Sequence, residues 1–322
     1  MYKIAVTDDR FAGDFGAENE VLREIDAQVS VYNLEGDDDG IESLRDADAV
    51  LLGLYSMTPA VIAELEKCRV ISRYGVGYDN VDLQSATQQG IWVARVPDFC
   101  TEDVSDHAVG LLLDCVRGIG YRNRQLRNGV WNVTVPYGIN RVAGRTLGVV
   151  GFGSIARAFV RKMSGFGLAR VLVHDPYVDE DTCRSLGAEK RDLQTVVSES
   201  DYISLHVPLS ETTQHMLDAE LLSRTKENVV IVNTARGPVI DEAALVQLLR
   251  GSQRRAGLDV FEIEPLPADS PLRGLDNVVL TDHNAWYSRE AYIDLKTKAA
   301  RNALEVLKGG RPLYPVNEVS TG

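Results

Sequence analysis

The segment from residue 147 to residue 175 has the order of elements that most restricts how this chain can fold. An apolar run over 147–150 leads into Gly151-Phe152-Gly153-Ser154-Ile155-Ala156, and a helical pattern and a second apolar run over 170–174 follow before Asp175. This order is typical of a strand, a tight turn, a helix and a parallel second strand, the arrangement that binds a dinucleotide. We therefore expect a parallel α/β sheet with a nucleotide site at the turn.

The glycine-rich turn is suited to binding a pyrophosphate. Gly151 permits a tight bend and Gly153 lets the backbone approach the anion, while the first amides of the following helix point toward it. Ala156 stands at the third position of the motif, where alanine is tolerated because helix and strand pack closely. The predicted cofactor-binding residues of this turn are Gly151, Phe152, Gly153, Ser154 and Ile155.

Asp175, at the end of the second strand, indicates which dinucleotide is bound. It lies about 20 residues after Gly153, the separation expected of an acid that hydrogen-bonds a ribose hydroxyl. Because a carboxylate in this place repels a 2′-phosphate, NAD is favoured over NADP. An ordinary turn between a strand and a helix is the alternative interpretation, but it does not account for the second strand and the acid.

Length and charge define the broad class of protein. A chain of 322 residues exceeds the size at which one hydrophobic core usually stops growing, so two domains are expected. Hydrophobic residues make up 44% and charged residues 25%, which is the profile of a soluble globular protein. The net charge of -13 and the absence of a long Lys/Arg block argue against direct binding of nucleic acid or of an anionic membrane surface.

Neither a membrane span nor a metal site is expected. The sequence has no run of about 18 apolar residues. A strand pattern at residues 2–6 stands where a cleavable leader would be, so we predict a cytoplasmic protein. The four cysteines have neither metal-ligand nor redox-pair spacing, and reduced, buried thiols are the simplest interpretation. They are Cys68, Cys100, Cys115 and Cys183.

Short apolar runs alternate with helical patterns along most of the chain, which predicts parallel strands joined by helices. A long helix is predicted from Thr101 to about Arg122, and another from about Ser288 to Lys308 that returns to the first domain. The predicted fold is α/β, with two doubly wound parallel-sheet (Rossmann-like) domains and the cofactor domain inserted into the substrate domain. Residues 1–98 and 287–322 form the predicted substrate-binding (catalytic) domain, and residues 99–286 form the predicted NAD-binding Rossmann domain.

Three chemically active side chains follow strands of the second domain. Arg236, Glu264 and His283 each come shortly after an apolar run typical of a buried strand. In open parallel sheets, ligands bind beyond the carboxyl ends of the strands. A cation, a carboxylate and an imidazole are therefore expected at the sheet edge that holds the nicotinamide.

These side chains suit the reduction of a 2-oxo acid by hydride transfer. An imidazole such as that of His283 can donate a proton to the developing alkoxide near neutral pH. Arg236 can hold the substrate carboxylate with its planar fork, and Glu264 can orient the histidine through the far ring nitrogen. Taken singly, each has a simpler interpretation. Arg236 could form a surface ion pair, His283 could be a loop histidine, and Glu264 could be an acid at the start of a helix. Their joint occurrence at strand ends favours catalysis.

The other histidines lack partners of this kind in the sequence, and we interpret them as structural. They are His107, His174, His206 and His215. His206 ends a predicted strand, where it either lines the cofactor pocket or packs against the sheet. His283 is thus the histidine with a predicted catalytic role.

Several motifs of the chain resemble those of the D-isomer-specific 2-hydroxyacid dehydrogenases. They are Arg73-Tyr74-Gly75-Val76-Gly77-Tyr78-Asp79-Asn80-Val81-Asp82, Gly151-Phe152-Gly153, Asn233-Thr234-Ala235-Arg236-Gly237, Leu258-Asp259-Val260-Phe261, Glu264-Pro265 and His283. The resemblance covers nearly the whole chain. It implies an NAD-linked enzyme with His283 as the acid/base, Glu264 as its partner and Arg236 as the carboxylate clamp.

The resemblance also implies the remaining contacts. Backbone amides around Gly75 and Val76 are expected at the substrate carboxylate, and Asp259 is expected near the nicotinamide amide. The predicted cofactor-binding residues beyond the turn are Asp175, Pro176, His206, Val207, Pro208, Thr213, Thr234, Ala235, Arg236, Asp259 and His283. The predicted substrate-binding residues are Tyr74, Gly75, Val76, Arg236 and Trp286. Family members are similar in forming dimers through the helix that begins near Thr101 and the arm after it, so a homodimer, or a tetramer of two such dimers, is expected.

Within the family, His283-Asn284-Ala285-Trp286-Tyr287-Ser288 looks most like the C-terminal-binding-protein branch, whose members have a tryptophan just after the histidine. Trp286 would then line the substrate pocket and suit an apolar side chain, and packing alone is the alternative. Asp282 stands where the family usually has proline, which places a negative charge beside His283.

Two classes of function fit these residues. The first is a dehydrogenase that reduces a 2-oxo acid to the D-2-hydroxy acid with NADH, with phosphoglycerate-type substrates as a variant. The second is an NADH-sensing, corepressor-like protein that oligomerises with cofactor and binds short peptides. The catalytic trio does not separate them, because the corepressors resemble enzymes there too, but a chain without long tails favours the enzyme. Oxidation of another oxyanion, such as phosphite, is a third and weaker alternative.

Overall fold

The computed structural model describes residues 1–8, 13–132, 134 and 137–319. The chain divides into two compact units, of which unit 1 consists of Met1–Cys100 and Ser288–Gly322 and unit 2 is Thr101–Tyr287. The substrate-binding role of the first predicted domain and the NAD-binding role of the second stay predictions. The last residues of the first predicted domain, 320–322, lie outside the described residues.

Unit 1 contains a parallel sheet with helices between its strands. Its first elements are β1 (Tyr2–Val6), α1 (Gly16–Leu22), β2 (Ala27–Val31), α2 (Asp37–Leu44), β3 (Ala49–Leu52), α3 (Pro59–Ala63), β4 (Val70–Arg73), α4 (Leu83–Gln88) and β5 (Trp92–Ala94). Over the described residues the sheet has five strands in the order β2-β1-β3-β4-β5, and its ladders are parallel. β3 is buried along its whole length, which explains its apolar sequence without alternation.

Unit 2 is built around a second parallel sheet. Its elements are α5 (Thr101–Arg117), α6 (Ile119–Arg127), β6 (Thr146–Val150), α7 (Ser154–Met163), β7 (Arg170–His174), α8 (Glu180–Ser185), β8 (Glu189–Lys190), α9 (Leu193–Glu199), β9 (Tyr202–Leu205), α10 (Ala219–Ser223), β10 (Val230–Asn233), α11 (Glu242–Leu249), β11 (Arg255–Leu258) and β12 (Val278–Leu280). In the part of the chain that the structure describes, seven strands lie in the order β12-β11-β10-β9-β6-β7-β8. Their ladders are parallel.

Apolar side chains fill both faces of the unit 2 sheet. One cluster packs α9, α10 and α11 against one face and includes Ile231 of β10. The other packs α5 and α7 against the opposite face and includes Val230 and Val232 of the same strand. Helices on both faces of a parallel sheet are the pattern of a doubly wound fold. Together with the parallel sheet of unit 1, this confirms the predicted fold class.

The predicted long helix from Thr101 to about Arg122 is wrong, because two helices occupy this stretch. Gly118 lies between them with φ of 62°, in the left-handed region that favours glycine. Asp114 stabilises the break. Its carbonyl accepts the amide of Gly118 and its Oδ1 accepts the amide of Gly120, both at 2.6 Å.

The helix predicted near the end of the chain is α12 (Arg289–Leu307). The Ser288 hydroxyl caps its first turn by accepting a backbone amide at 3.0 Å. α12 packs on α1 and β4 and carries a fully buried Lys296, whose Nζ lies 3.4 Å from Oε2 of the buried Glu18. Removing one partner of such a buried pair is strongly destabilising, because the other charge is left uncompensated.

The described ranges contain no helix with the length and apolar character that a membrane span needs. The same residues contain no group of three or more His, Cys, Asp or Glu side chains that could hold a metal ion. Burial raises the pKa of the Cys68 and Cys115 thiols to about 12. These two thiols are therefore protonated and unreactive at neutral pH.

Candidate active site

The glycine-rich turn after β6 lies against the segment that follows β9. Gly151 has φ of 85°, and a Cβ there would be 2.8 Å from the carbonyl carbon of His206 and 2.9 Å from Cγ1 of Val207. Only glycine fits this close approach. The amide of Gly151 also donates to the carbonyl of His174, the last residue of β7, at 2.8 Å. The carboxyl ends of three neighbouring strands therefore meet at this turn.

The N-terminus of α7 presents the groups that a pyrophosphate needs. Gly153 precedes the helix, and no described side chain caps the first turn. A Cβ on Gly153 would meet no atom of the described residues within 4 Å. Both Gly153 and Ser154 are exposed, whereas Ile155 is half-buried. The first amides of a helix have no acceptors within it, so these groups can bind an anion. The residues of the turn fit a dinucleotide.

Asp175 follows β7 directly and braces the same turn. Its Oδ2 accepts the amide of Phe152 at 2.8 Å, and its Oδ1 accepts the amide of Tyr177 at 2.8 Å. Pro176 and Tyr177 are exposed beside it. The sequence predicts only a ribose contact for this carboxylate. The structure adds a bond that fixes the backbone between the two glycines.

His206 comes immediately after β9 and packs into the unit. Its ring lies against Phe159 with centroids 5.3 Å apart, and its Nε2 lies 2.9 Å from Oγ of Ser204. Burial lowers the pKa of His206 to about 3. The ring is therefore neutral at physiological pH. Of the two roles expected for His206, these contacts agree with packing.

The loop after His206 is shaped by Thr213. The Thr213 hydroxyl donates to the carbonyl of Pro208 at 2.7 Å and accepts the amide of Ser210 at 2.8 Å. Pro208 is exposed, whereas Thr213 is buried. Thr213 thus stabilises the loop that the sequence predicts near the cofactor. Both of these hydrogen bonds of its hydroxyl lie within the loop.

The loop after β10 carries Arg236 and is fixed by its neighbours. The Asn233 side chain accepts the amide of Ala235 at 3.0 Å and donates to the carbonyl of Arg236 at 2.9 Å. Gly237 packs so closely on the next loop that a Cβ would be 1.9 Å from the carbonyl carbon of Phe261. Arg236 is thereby held beside the loop that carries the predicted catalytic glutamate.

Thr234, the first residue after β10, has a buried hydroxyl that makes no hydrogen bond with any described residue. A buried polar group without a partner costs roughly 1–3 kcal/mol. Because Thr234 was predicted to contact the cofactor, this oxygen fits a ligand group that would complete it.

Glu264 and His283 meet at the carboxyl edge of the sheet. His283 Nδ1 lies 2.6 Å from Glu264 Oε2, and Glu264 Oε1 accepts the amide of Phe261 at 3.0 Å. The two side chains are 26% and 27% exposed. Nε2 of His283 makes no hydrogen bond with the described residues, so this ring nitrogen is available to a substrate.

The charge of Glu264 is set by opposing effects. Burial raises the pKa of Glu264, but the hydrogen bond and charge of His283, with a contribution from Arg236, outweigh burial and lower it below its ordinary value. Glu264 is therefore a carboxylate at neutral pH. Because a carboxylate accepts from Nδ1–H, the proton that can be exchanged with a substrate is the one on Nε2 of His283.

Asp259, directly after β11, anchors the loop of His283. It is 1% exposed. Its two carboxylate oxygens accept the amides of Asn284 and Ala285 at 3.1 Å and 3.0 Å, and its carbonyl accepts the amide of His283 at 2.8 Å. The contact with the nicotinamide amide stays a prediction, while the anchoring role was missed because no local spacing indicates it.

The predicted carboxylate cradle lies after β4 in unit 1. The Tyr74 hydroxyl donates to Glu18 Oε1 at 2.9 Å, so this side chain is engaged within the unit. Gly75 has φ of 151°, and its amide donates to the carbonyl of Arg73 at 2.9 Å. Among the described residues, the amide of Val76 has no acceptor. Val76 rather than Gly75 therefore offers the available N–H.

Trp286 packs edge-on against Tyr287, with ring centroids 5.6 Å apart and an interplanar angle of 84°. Trp286 is half-buried and Tyr287 is 60% exposed. Asp282, the residue in place of the usual proline, is exposed. Its carboxylate is therefore well solvated beside His283.

A second histidine–carboxylate pair supports the loops after β10 and β11. His215 Nε2 lies 2.7 Å from Glu262 Oε1, and its amide donates to the carbonyl of Pro238 at 2.7 Å. Glu262 and Glu242 each accept the other's backbone amide at 3.1 Å. These bonds join the segment after Arg236 to the segment before Glu264. The sequence interpretation of His215 missed this partner.

Comparison with known proteins decides the family. Residues 109–285 match the family described as D-isomer specific 2-hydroxyacid dehydrogenase, NAD binding domain. The chain is 41% identical over 284 residues to a glyoxylate reductase of Korarchaeum cryptofilum, a match that covers 86% of this chain and 85% of the relative. The chain belongs to this dehydrogenase family.

Two further comparisons describe the breadth of the family around this dehydrogenase. The chain is 37% identical over 312 residues to a D-3-phosphoglycerate dehydrogenase of Methanocaldococcus jannaschii. This match covers 96% of the chain but 58% of the relative. Its fold matches the crystal structure of D-lactate dehydrogenase from Aquifex aeolicus complexed with NAD and lactic acid, with a TM-score of 0.84, 25% identity, and coverage of 95% and 96% of the two chains.

This dehydrogenase is an NAD-dependent oxidoreductase that acts on a 2-oxo acid/D-2-hydroxy acid pair. The predictions of family, reaction class and cofactor are thereby confirmed. NAD, when bound, supplies or accepts the hydride. The narrower resemblance to the C-terminal-binding-protein branch and the roles of individual site residues stay predictions.

Proposed function

We propose that this dehydrogenase reduces glyoxylate, or a 2-oxo acid of similar size, with NADH. The match to a glyoxylate reductase over most of both chains supports the substrate class. The observation that carries the proposal is the 2.6 Å bond between Glu264 and His283, because it leaves one ring nitrogen ready to protonate a carbonyl oxygen.

His283 is the proton donor in the direction of reduction. Nε2 gives its proton to the substrate oxygen as negative charge develops there, and the ionised Glu264 stabilises the imidazole ring in its correct orientation. In the direction of oxidation, the same nitrogen accepts the proton of the substrate hydroxyl. The available Nε2 and the occupied Nδ1 support this assignment.

Arg236 binds the substrate carboxylate and polarises the carbonyl group. Its loop is held by Asn233 and by the contact of Gly237 with Phe261, which supports a fixed position for the guanidinium. The planar fork of Arg236 fixes the orientation of the carboxylate as well as its charge. The contact of Val76 with the substrate stays an expectation from the family resemblance.

The turn at α7 and Asp175 are proposed to hold NAD. The uncapped amides of the helix receive the pyrophosphate, and the Asp175 carboxylate accepts from the ribose hydroxyls. The buried Thr234 hydroxyl without a partner among the described residues supports a ligand at the neighbouring loop. The carboxylate of Asp175 favours NAD over NADP because it repels a 2′-phosphate.

Two other activities stay open as narrower alternatives. A phosphoglycerate-type substrate is supported by the 37% identity over 312 residues to a D-3-phosphoglycerate dehydrogenase. A corepressor-like, NADH-sensing role is supported only by Trp286, the residue that resembles the C-terminal-binding-protein branch. In the enzyme, a Trp286 that lines the substrate pocket would suit a 2-oxo acid with an apolar side chain.

A homodimer is proposed through the helical stretch that begins at Thr101, which the structure divides into α5 and α6, and the arm after it. Ile119 and Leu126 on α6 are 58% and 57% exposed, and Trp131 is 86% exposed. Large apolar side chains grouped on an exposed helix are typical of a protein interface. A cytoplasmic location is also proposed, and it is supported by composition alone.

The test is a substrate panel followed by NADH absorbance: glyoxylate, pyruvate, hydroxypyruvate, phosphohydroxypyruvate and longer 2-oxo acids with branched or thioether side chains. We expect the highest kcat/KM with glyoxylate or hydroxypyruvate. A higher value with phosphohydroxypyruvate would replace the proposed substrate with the phosphoglycerate type. Tight NADH binding without turnover of any member would reject the glyoxylate assignment and favour the sensing role.

A further inference from the structure

A chain of hydrogen bonds connects helix α5 to the loop that carries His283. His107 Nε2 on α5 lies 2.9 Å from Thr281 Oγ1, and Thr281 Oγ1 lies 2.6 Å from Asp259 Oδ1. His107 Nε2 is also 3.6 Å from the same carboxylate oxygen. Asp259 in turn accepts the two backbone amides that follow His283. His107 is thus three bonds away from the catalytic loop.

The direction of these bonds follows from the number of protons. A carboxylate only accepts, and a threonine hydroxyl has a single proton to donate. The distance of 2.6 Å assigns that proton to the bond with Asp259. Thr281 can therefore only accept from His107, whose Nε2 must carry a hydrogen.

The helix that carries His107 is a rigid support. α5 packs against β10, β11 and β12. Ala108 and Leu111 of this helix are 0% and 4% exposed, whereas the His107 side chain is 25% exposed. Asp259 and Thr281 directly follow β11 and β12. A bond from α5 therefore ties the ends of both strands to a helix that is already fixed.

We propose that His107 is a positioning residue for the proton donor His283, acting through Thr281 and Asp259. His283 has φ of 56°, a conformation that is unfavourable for a residue with a Cβ and that its anchoring bonds must hold. Without the donor at position 107, the Thr281 hydroxyl is free to turn away from Asp259, and the catalytic loop loses its tie to α5. The inference rests on the proposed role of His283.

The first test compares His107→Leu with His107→Gln. Leucine removes the donor, and we expect kcat with the best 2-oxo acid to fall about tenfold, the effect of one lost hydrogen bond, with the KM within about twofold. Glutamine places an N–H at nearly the same reach and should restore kcat to within about threefold of wild type. Asp106→Ala is the control on the same helix, because Asp106 is 72% exposed and its Oδ1 pairs with Nζ of Lys162 at 2.7 Å; it should leave kcat unchanged.

A double-mutant cycle tests whether His107 acts through Thr281. Thr281→Val keeps the shape and removes the hydroxyl, so it should lower kcat at least as much as His107→Leu. In the Thr281→Val background, His107→Leu should change kcat by less than about twofold, because the bond it breaks is already absent. Full additivity of the two effects would overturn the proposed connection.

Ring-nitrogen NMR of protein labelled with ¹⁵N-histidine gives a readout that does not depend on turnover. The signals of His283, identified by their loss in His283→Gln, should move in His107→Leu and return in His107→Gln. If wild type turns over no 2-oxo acid, the proposed function fails, and these signals still decide the positioning role. Unchanged His283 signals in His107→Leu, or equal losses of kcat and Tm in the leucine and glutamine variants, would show that His107 only packs.

Discussion

At the scale of single residues, the proposed chemistry depends on His283 and its carboxylate partner Glu264. The bond to Glu264 fixes one ring nitrogen. Asp259 holds the left-handed backbone of His283, because its carbonyl accepts the amide of His283 and its Oδ1 accepts the amide of Asn284. The ring is therefore oriented both through its own nitrogen and through its main chain. Such double support favours a group that must transfer a proton in one fixed direction.

His283→Ala should lower kcat by about 10² to 10⁴, the usual contribution of a positioned acid. The Kd of NADH should stay close to that of wild type, because the anion-binding turn lies on other strands. Steady-state kinetics with the best 2-oxo acid and a fluorescence titration with NADH measure the two quantities. His174→Ala serves as the control, since the hydrogen bond of that ring among the described residues is a 3.4 Å contact with the carbonyl of Arg191. Unchanged turnover in His283→Ala would exclude this residue from the mechanism.

The same residues mark how far the sequence predicts the site. Glu264 and His283 could be paired in advance because both follow strands whose carboxyl ends share one edge. The links from Asp259 to Thr281 and His107 could not, because they join a helix to strand ends more than a hundred positions later and depend on how α5 packs. In the same way, the bond from Asp175 to the amide of Phe152 depends on the register of β6 and β7.

At the scale of elements, the loops after β10 and β11 of unit 2 are joined by close backbone contacts and hydrogen bonds. Gly237 after β10 touches the backbone of Phe261 after β11, and Glu242 and Glu262 exchange amide bonds across the same pair of loops. Arg236 and Glu264 lie on these loops. The separation of cation and carboxylate is thus fixed by backbone contacts rather than by the two side chains.

Gly237→Ala tests this contact. A Cβ 1.9 Å from a backbone carbon must displace one loop, and we expect a loss of about 1–3 kcal/mol in the free energy of unfolding, as for overpacked sites, together with a lower kcat. Gly274→Ala is the matched control, because a Cβ there would meet no described atom within 4 Å; it should change stability by less than about 0.5 kcal/mol. Urea unfolding and kcat measure both variants. Equal stability of the two would contradict the close contact.

The elements themselves were predictable to different degrees. Strands such as β10, whose residues are all buried, stand out as apolar runs and were expected where they occur. The division between α5 and α6 was not expected, because the helical pattern continues through it. The break depends on one glycine and on the carboxylate of Asp114, whose effect on the backbone cannot be recognised from periodicity.

At the scale of the whole molecule, burial of a titratable ring makes stability depend on pH. His206 is neutral in the folded protein because burial lowers its pKa from 6.5 to about 3. The unfolded chain takes up a proton below about 6.5, whereas the folded chain does not until about pH 3. The stability is therefore complete above the unfolded pKa and falls as the pH falls from about 6.5 toward 3.

His206→Gln should remove this dependence. Between pH 7 and pH 5, wild type should lose about 2 kcal/mol more free energy of unfolding than the variant, from 1.36 kcal/mol for each unit below the unfolded pKa. Urea unfolding at the two pH values gives both losses. Equal losses in the two proteins would mean that His206 is protonated in the folded state, contrary to its burial.

The bond from Asp175 to the amide of Phe152 has a consequence for cofactor choice. If the same carboxylate also receives the ribose, one side chain selects the coenzyme and shapes the loop that grips it. Replacing Asp175 with a small neutral residue would then make room for a 2′-phosphate. The same change would remove the hydrogen bond that holds the Phe152 amide in the turn. On that prediction, a coenzyme switch in this chain would require two changes, one to open the ribose site and one to give the Phe152 amide a new acceptor.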